Sequence, residues 1–186
     1  MTTKVHKIFI SYHHGETPYE GDKQYRERLE KILSTSGIAI NYSVPYNAIS
    51  SDLMTETVRQ KIRDEYLRDA TVTLVLIGKD TWKRKHVDWE IGSSIRDTQL
   101  NPHAGLLGII LPTYIRTDFT KYNSHTIPPR LYDNIQCGYA KIYNWTDNPI
   151  SLQNWIHDSF TMRSSTIPNN SRSYFGKNRS GDTWTD

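Results

Sequence analysis

The sequence predicts an α/β protein with an open parallel sheet and helices on both of its faces. Predicted strands and helices alternate from Lys7 to Leu111, and such alternation is typical of parallel sheets. The run Thr71 to Ile77, TVTLVLI, is apolar without interruption. A continuous run of this kind indicates a central strand that is buried on both faces.

Two strands and two helices are predicted before this central strand. The runs Lys7 to Tyr12 and Ile38 to Tyr42 are rich in β-branched and aromatic residues, which favour strands. Between them, Asp22 to Ser36 carries apolar residues at helical spacing, and Gly37 is placed to end that helix. A second helix is marked by three apolar positions on one face: Val58, Ile62 and Tyr66.

Four further elements follow the central strand. We expect a helix from Arg84 to Asp97 and a buried strand from Ala104 to Leu111. A loop region then extends from Tyr114 to Arg130. A fifth strand is expected around Tyr139 to Tyr143, and a last helix around Ser151 to Met162.

The chain length of 186 residues suits one domain, which we place at residues 1–162. Only 36% of the residues are hydrophobic, but 12 Tyr and 5 Trp supply large apolar surfaces for a core. Residues 163–186 are rich in Ser, Asn, Arg and Gly. We predict that they form a polar tail, poorly ordered or packed on the surface.

Composition argues against several classes of protein. The net charge is +3 without a basic stripe, so nucleic-acid binding is not expected. No run approaches the roughly 20 apolar residues of a membrane span, and no signal peptide is evident. The single cysteine, Cys137, allows no internal disulfide. These features predict a cytoplasmic protein that has no membrane partner.

Sequence motifs narrow the chemistry further. There is no G-x-G-x-x-G, no G-x-x-x-x-G-K-[ST] and no G-x-S-x-G, which disfavours dehydrogenases, P-loop NTPases and α/β-hydrolases. His13 and His14 are adjacent, but no third ligand follows at a useful spacing. We therefore expect neither a metal site nor a bound cofactor.

Glu90 is the candidate catalytic residue. It lies in RKHVDWEIGSSI, on the helix predicted directly after the central strand. Ligands of open α/β sheets bind at the carboxyl edge of the strands, where this helix begins. His86, four residues earlier, shares a helix face with Glu90. The alternative is an ordinary glutamate at the edge of the core, paired with Arg84 or Lys61.

Candidate substrate-binding residues surround this position. Ser11, Tyr12 and His13 come at the end of the first strand, so they are expected at the same edge of the sheet. Hydroxyl, imidazole and backbone N–H groups there suit a phosphate or a ribose. Trp82 and Trp89 lie shortly before Glu90 in the sequence and, with Tyr12, could form a stacking wall.

Several of these segments together resemble the Toll/interleukin-1 receptor (TIR) domain superfamily. They are KIFISYHH, VRQKIRDEYLRDATVTLVLIG and W-x-R-K-H-V-D-W-E-I-x-x-S-I. The sequence is most similar to the bacterial TIR-like branch that includes the TIR subunit of Thoeris anti-phage defence systems. The resemblance covers about residues 4–145 and is most specific from Val58 to Ile95.

The resemblance implies a flavodoxin-like sheet that binds NAD+ as a substrate. It implies that Glu90 is the glutamate essential for cleaving the nicotinamide–ribose bond, and that the loop after Ser11 lines the pocket. Ser43 to Asp52 match the loop that closes over the substrate. The implied product is a diffusible nucleotide signal derived from ADP-ribose that activates a separate effector protein. Self-association is also possible in this family.

Two alternative functions remain open from the sequence. The chain could be a catalytically silent TIR adaptor that assembles with other TIR domains. It could also be another nucleoside-handling enzyme on a flavodoxin-like sheet, such as a base-exchange transferase. Glu90 favours an enzyme, because a scaffold has no need of an acid at that edge.

Overall fold

The computed structural model describes residues 5–15, 22–41, 67–98 and 102–185. Within these ranges lie five strands: β1 (His6–Ser11), β2 (Ala39–Asn41), β3 (Val72–Ile77), β4 (Gly105–Ile110) and β5 (Ala140–Asn144). The same ranges hold four α-helices: α1 (Lys23–Thr35), α2 (Lys85–Ser94), α3 (Pro129–Gln136) and α4 (Pro149–Met162). Short 3₁₀ turns cover Thr81–Lys83 and Ser124–Thr126. No helix among the described residues has the length and apolar character needed to cross a membrane.

The five strands form one open sheet in the order β2-β1-β3-β4-β5, and every neighbouring pair is parallel. This arrangement confirms the predicted flavodoxin-like α/β fold. In this order the chain changes direction across the sheet between β1 and β3, and ligands of such folds bind outside the carboxyl ends at that switch point. Ser11 is the last residue of β1 and is aligned with Val75 of β3.

Two apolar layers cover the two faces of the sheet. Alternate residues of β3 point to opposite faces, and all six of its residues are buried. One layer joins Leu74 and Leu76 to α1 and α4 through residues such as Leu29 and Ile156. The other layer joins Val75 and Ile77 to α2 and α3. The Glu90 helix is therefore fixed to the sheet by its own apolar face, at Val87 and Ile91.

Helix boundaries account for most of the differences from the sequence expectations. Helix α3 was not predicted, and its first two residues lie within the loop region predicted as far as Arg130. The Pro128-Pro129 pair suggested a break, but Pro129 occupies the first turn of the helix, where a missing N–H costs nothing. Helix α4 begins at Pro149 because the Asn148 side chain accepts hydrogen bonds from two backbone N–H groups of the first turn. The predicted second helix and the Ser43 to Asp52 loop lie outside the described residues.

Candidate functional site

Helix α2 presents three different faces to its surroundings. Successive residues of an α-helix are separated by about 100°, so neighbours in sequence point in different directions. Val87 and Ile91 pack on the sheet. His86 and Glu90, four residues apart, face the chain that leaves β1. Trp89 faces the C-terminal segment, where its indole Nε1–H donates to the Phe175 carbonyl oxygen at 2.8 Å.

The central contact of the site joins Glu90 to Ser11. The Ser11 hydroxyl donates to Glu90 Oε2 at 2.5 Å, and both residues are buried. Burial raises the pKa of the Glu90 carboxyl to about 8, while the Ser11 hydrogen bond acts in the opposite direction. Desolvation is the larger effect because it penalises the charged form. The carboxyl group is therefore mainly protonated at neutral pH when no ligand is bound.

A cluster of aromatic rings borders this pair. The His14 ring stacks on the Tyr12 ring with centroids 4.2 Å apart, and the His86 ring meets His14 edge-on at 4.9 Å. His86 Nε2 lies 3.1 Å from the Tyr12 carbonyl oxygen. A carbonyl can only accept, so this nitrogen carries the proton and His86 Nδ1 remains an acceptor.

Both histidines of the cluster are uncharged at neutral pH. Burial, reinforced by the neighbouring His86, lowers the pKa of His14 to about 3. Burial also lowers the pKa of His86 to about 4, although its bond to the Tyr12 carbonyl opposes the change. The cluster is thus a neutral aromatic wall, suited to contact with a flat ring, and it supplies no general acid near pH 7.

Asp22 is a second buried acid at the carboxyl edge of the sheet, and we did not predict it as a site residue. Its carboxylate accepts from the Thr113 hydroxyl at 2.7 Å and lies 3.3 Å from the Thr81 hydroxyl. Its backbone N–H donates to the His13 carbonyl oxygen at 2.8 Å. Asp22 therefore ties both ends of the loop after β1 to the segments that follow β3 and β4. In the sequence it was only the first residue of the predicted helix Asp22 to Ser36, with no motif that marks a site.

The predicted substrate-binding residues fall into two groups. Ser11 and Tyr12 lie beside Glu90 or the histidine wall, and the buried His13 closes the base of the same loop through its carbonyl. Trp82 and Trp89 instead face the C-terminal segment. Trp82 is buried and lines a cavity of about 780 Å³ together with residues 173–180 and 183–185.

The described residues offer no cluster of metal ligands. Among residues 5–15, 22–41, 67–98 and 102–185, no three His, Cys, Asp or Glu side chains come together in a way that could hold a metal ion. The polar groups around Glu90 are the Ser11 hydroxyl, the imidazoles of His14 and His86, and the protonated carboxyl group itself. Such a set suits an uncharged or cationic organic ligand with hydroxyl groups.

We predict that replacing Ser11 with alanine raises the pKa of Glu90 further above about 8, because the hydrogen bond that favours the carboxylate is lost. A ¹³C NMR titration of the side-chain carboxyl groups measures this change, with the Glu90 signal assigned from Glu90→Gln. Ser94→Ala is the control, since the Ser94 hydroxyl on the same helix bonds only to the Ile91 carbonyl among the described residues. An unchanged Glu90 titration in Ser11→Ala would contradict the role of this bond.

The sequence was then compared with known proteins. It matches the family model described as "Thoeris protein ThsB, TIR-like domain" over residues 9–114. The matched region runs from β1 past β4 and includes Ser11, His86 and Glu90. No curated protein matches the sequence significantly. Since the family match spans more than half of the 186 residues, the chain belongs to the ThsB TIR-like domain family.

Proposed function

We propose that this TIR-like domain cleaves the nicotinamide–ribose bond of NAD+, with Glu90 as its catalytic residue. One observation carries the proposal: the buried Glu90 carboxyl lies at the β1–β3 switch point with acceptor capacity to spare. A carboxylate accepts about four hydrogen bonds, and from the described residues Glu90 accepts one, from Ser11. The remaining acceptor positions suit the hydroxyl groups of a ribose.

A single carboxylate is enough for this reaction. The nicotinamide of NAD+ is attached through a cationic ring nitrogen, so the C–N bond breaks with its electron pair going to nitrogen, and neutral nicotinamide departs. No general acid is needed, in contrast to most glycoside hydrolases, which use two carboxyl groups. Positive charge develops on the ribose. A carboxylate that faces this charge stabilises the transition state more than the ground state.

The ionisation of Glu90 links binding to chemistry. In the empty site the raised pKa keeps the carboxyl mostly protonated. A cationic nicotinamide ring close to it favours the charged form, because an opposite charge lowers the pKa of an acid. The neutral imidazoles of His14 and His86 add no competing positive charge at this pH. The substrate itself therefore helps to generate the carboxylate that acts on it.

The acceptor of the ADP-ribosyl group determines the product. Water gives ADP-ribose, an internal group of the nucleotide gives a cyclic isomer, and a bound small molecule gives a conjugate. We propose that the output is a diffusible ADP-ribose derivative that activates a separate effector in anti-phage defence. The buried surroundings of Glu90 support this, because a site that excludes bulk water favours capture by a held nucleophile.

The alternative function is a catalytically silent interaction module. It is favoured by two apolar side chains on the loop after β4, Ile115 and Phe119, which are 73% and 67% exposed. If these two side chains form one contiguous patch, it could contact another protein. The two functions differ in what they require of Glu90, since an adaptor does not depend on its charge.

We predict that Glu90→Gln lowers the rate of nicotinamide release by about 10²–10³-fold, because the charge that faces the oxocarbenium ion is lost. The variant should be at least as stable as the wild type. A buried carboxyl with a raised pKa costs no stability below about pH 4.5, and the cost grows as the pH rises through about 8, whereas glutamine has no charge to bury.

Nicotinamide release from purified protein and NAD+ measures the first effect, and thermal unfolding at pH 9 measures the second. Asp158→Asn on α4 is the control acid, because its side chain is 54% exposed and pairs only loosely with Lys141 at 4.0 Å. Wild-type turnover by a folded Glu90→Gln protein would exclude Glu90 as the catalytic residue. No nicotinamide release by the folded wild type would favour the adaptor function.

We predict that kcat/KM for NAD+ rises about tenfold per pH unit from pH 6 and levels off near pH 8, where Glu90 ionises. Tyr12, His14 and His86 do not titrate in this pH range. The pKa values of His14 and His86 lie at about 3 and 4, and burial raises the pKa of Tyr12 above its ordinary value of 10. A flat profile between pH 6 and pH 9 would exclude Glu90 as the ionising group.

We predict that a protein-free filtrate from infected cells that express this chain activates a candidate effector, and that filtrate from the Glu90→Gln strain does not. Effector activity after filtrate addition is the measurement, with synthetic ADP-ribose as the control nucleotide. If plain ADP-ribose activates the effector equally well, the proposed derivative is wrong. If the two filtrates act equally, the signal does not depend on Glu90.

A further inference from the structure

The C-terminal segment, residues 163–185, runs along the outer face of the Glu90 helix. The segment runs antiparallel to α2, and its contacts extend from the last turn of the helix to the 3₁₀ turn that precedes it. The Asn170 side chain donates to the Gly92 carbonyl at 2.9 Å, the Phe175 carbonyl accepts from Trp89, and the Arg179 backbone N–H reaches the Lys83 carbonyl at 2.7 Å. The segment thus contacts the helix along its whole length.

The start of α2 is capped by this segment. Arg84, the residue that precedes the helix, provides no side-chain cap. Instead the Asn178 side-chain oxygen accepts from the Lys85 backbone N–H at 2.9 Å. The first N–H groups of a helix have no partner within it, so an asparagine 93 residues away in sequence satisfies one of them.

A buried ion pair joins the segment to the two helices on this side of the sheet. Arg130 of α3 is fully buried and holds the Asp88 carboxylate of α2 through Nε at 2.9 Å. The Phe175 backbone N–H donates to the same carboxylate at 2.9 Å. Arg130 also donates to the Asn170 side chain and to the Ser173 carbonyl. The segment therefore supplies the further hydrogen bonds of this buried pair, beyond those that Asp88 and Arg130 make to each other.

The contacted positions of α2 all lie on one face. They are Lys85, Asp88, Trp89 and Gly92, with the i, i+3, i+4, i+7 spacing of a single helical stripe. At Gly92 the Tyr174 ring fills the space that a Cβ atom would need. Glu90 directly follows Trp89 in the sequence and lies about 100° around the helix from it. Contacts that hold this helix face in place therefore also set the direction in which Glu90 points.

We propose that the C-terminal segment is a positioning element that holds α2 in the rotation at which Glu90 meets Ser11. Asn178, the Trp89 N–H group and the Asp88–Arg130 pair act as positioning groups through the helix and do not touch the reacting atoms. The effect of this positioning on catalysis rests on the proposed function of Glu90. Small errors in the placement of a catalytic group are costly, with about 10²-fold in rate lost per 1 Å.

The test uses two mild substitutions in the full chain, Trp89→Phe and Asn178→Ala, alone and together. The first keeps an aromatic ring but removes the N–H donor, and the second removes the helix cap. Arg172→Gln is the matched control: it breaks an anchor of the same segment to Asp133 on α3, at 2.7 Å, without touching α2. Circular dichroism and thermal unfolding establish that each protein is folded at the assay temperature.

The readouts are the Glu90 carboxyl titration by ¹³C NMR and the steady-state constants for NAD+. In the double variant we expect the pKa of Glu90 to fall from about 8 towards its ordinary value as water reaches the loosened helix. We expect kcat to fall by about tenfold or more with little change in KM. The acid limb of the pH profile should move with the pKa. In Arg172→Gln the pKa of Glu90 and the value of kcat should stay as in the wild type.

Each outcome decides between positioning and simple covering. Loss of stability with an unchanged Glu90 titration and unchanged kcat would overturn the proposal. A rise in KM alone in Trp89→Phe, with Asn178→Ala unaffected, would also overturn it and assign Trp89 to substrate contact. If the double variant does not fold, Asn178→Ala alone, at an exposed residue, decides by the same criteria. If the wild type releases no nicotinamide, the proposed function fails, while the NMR titration still tests the positioning role.

Discussion

The dehydration of one carboxyl group, Glu90, is the constraint around which this side of the molecule is arranged. Parallel strands leave their carboxyl ends at one edge, and Ser11 at the end of β1 supplies the hydroxyl that Glu90 needs there. Burying the acid with a single donor raises its pKa to about 8. The fold can keep such a group because an uncharged acid costs far less to bury than a carboxylate.

The sequence HVDWEIG around Glu90 can be understood as three stripes wound on one helix. The apolar residues Val87 and Ile91 face the sheet, and the acids on either side of Trp89 serve opposite purposes. Asp88 is neutralised by a fully buried arginine and binds the C-terminal segment. Glu90 has no cationic partner among the described residues and faces the β1 loop. Breaking a buried ion pair is costly, so Asp88 fixes the helix, whereas Glu90 contributes no ion pair to the fold among the described residues.

The sequence was sufficient for the features that depend on periodicity and on the order of strands. The unbroken apolar run of β3 and the strand–helix alternation predicted the parallel sheet, and all neighbouring strands are indeed parallel. The carboxyl-edge rule brought Ser11 and Glu90 to the same place, and the i−4 relation brought His86 to the same face. These features depend on local sequence spacing or on the order of the strands, so they could be predicted without a structure.

Features that depend on unpatterned contacts could not be predicted. Trp82 and Trp89 are near Glu90 in sequence, but only the packing of α2 shows that Trp89 turns towards Phe175. The Asp88–Arg130 pair joins residues 42 positions apart, and no sequence pattern connects the two. The C-terminal segment is irregular and polar, so its composition resembles that of a disordered tail. Its order comes from specific hydrogen bonds to helix backbone, which have no period in sequence.

Comparison of the two acids at the sheet edge, Asp22 and Glu90, separates a structural role from a chemical one. Burial raises the pKa of both carboxyl groups. Asp22 is held by the hydroxyls of Thr113 and Thr81, which lower its pKa again, and its carboxyl group fills the space beside Gly78. That acid is enclosed by its partners and has no room for a ligand. Glu90 accepts one hydrogen bond from the described residues, that of the Ser11 hydroxyl, and has a neutral aromatic wall beside it. Under the proposed function, the ribose hydroxyl groups and the cationic ring of the substrate would occupy its remaining acceptor positions, as expected of an acid kept for catalysis.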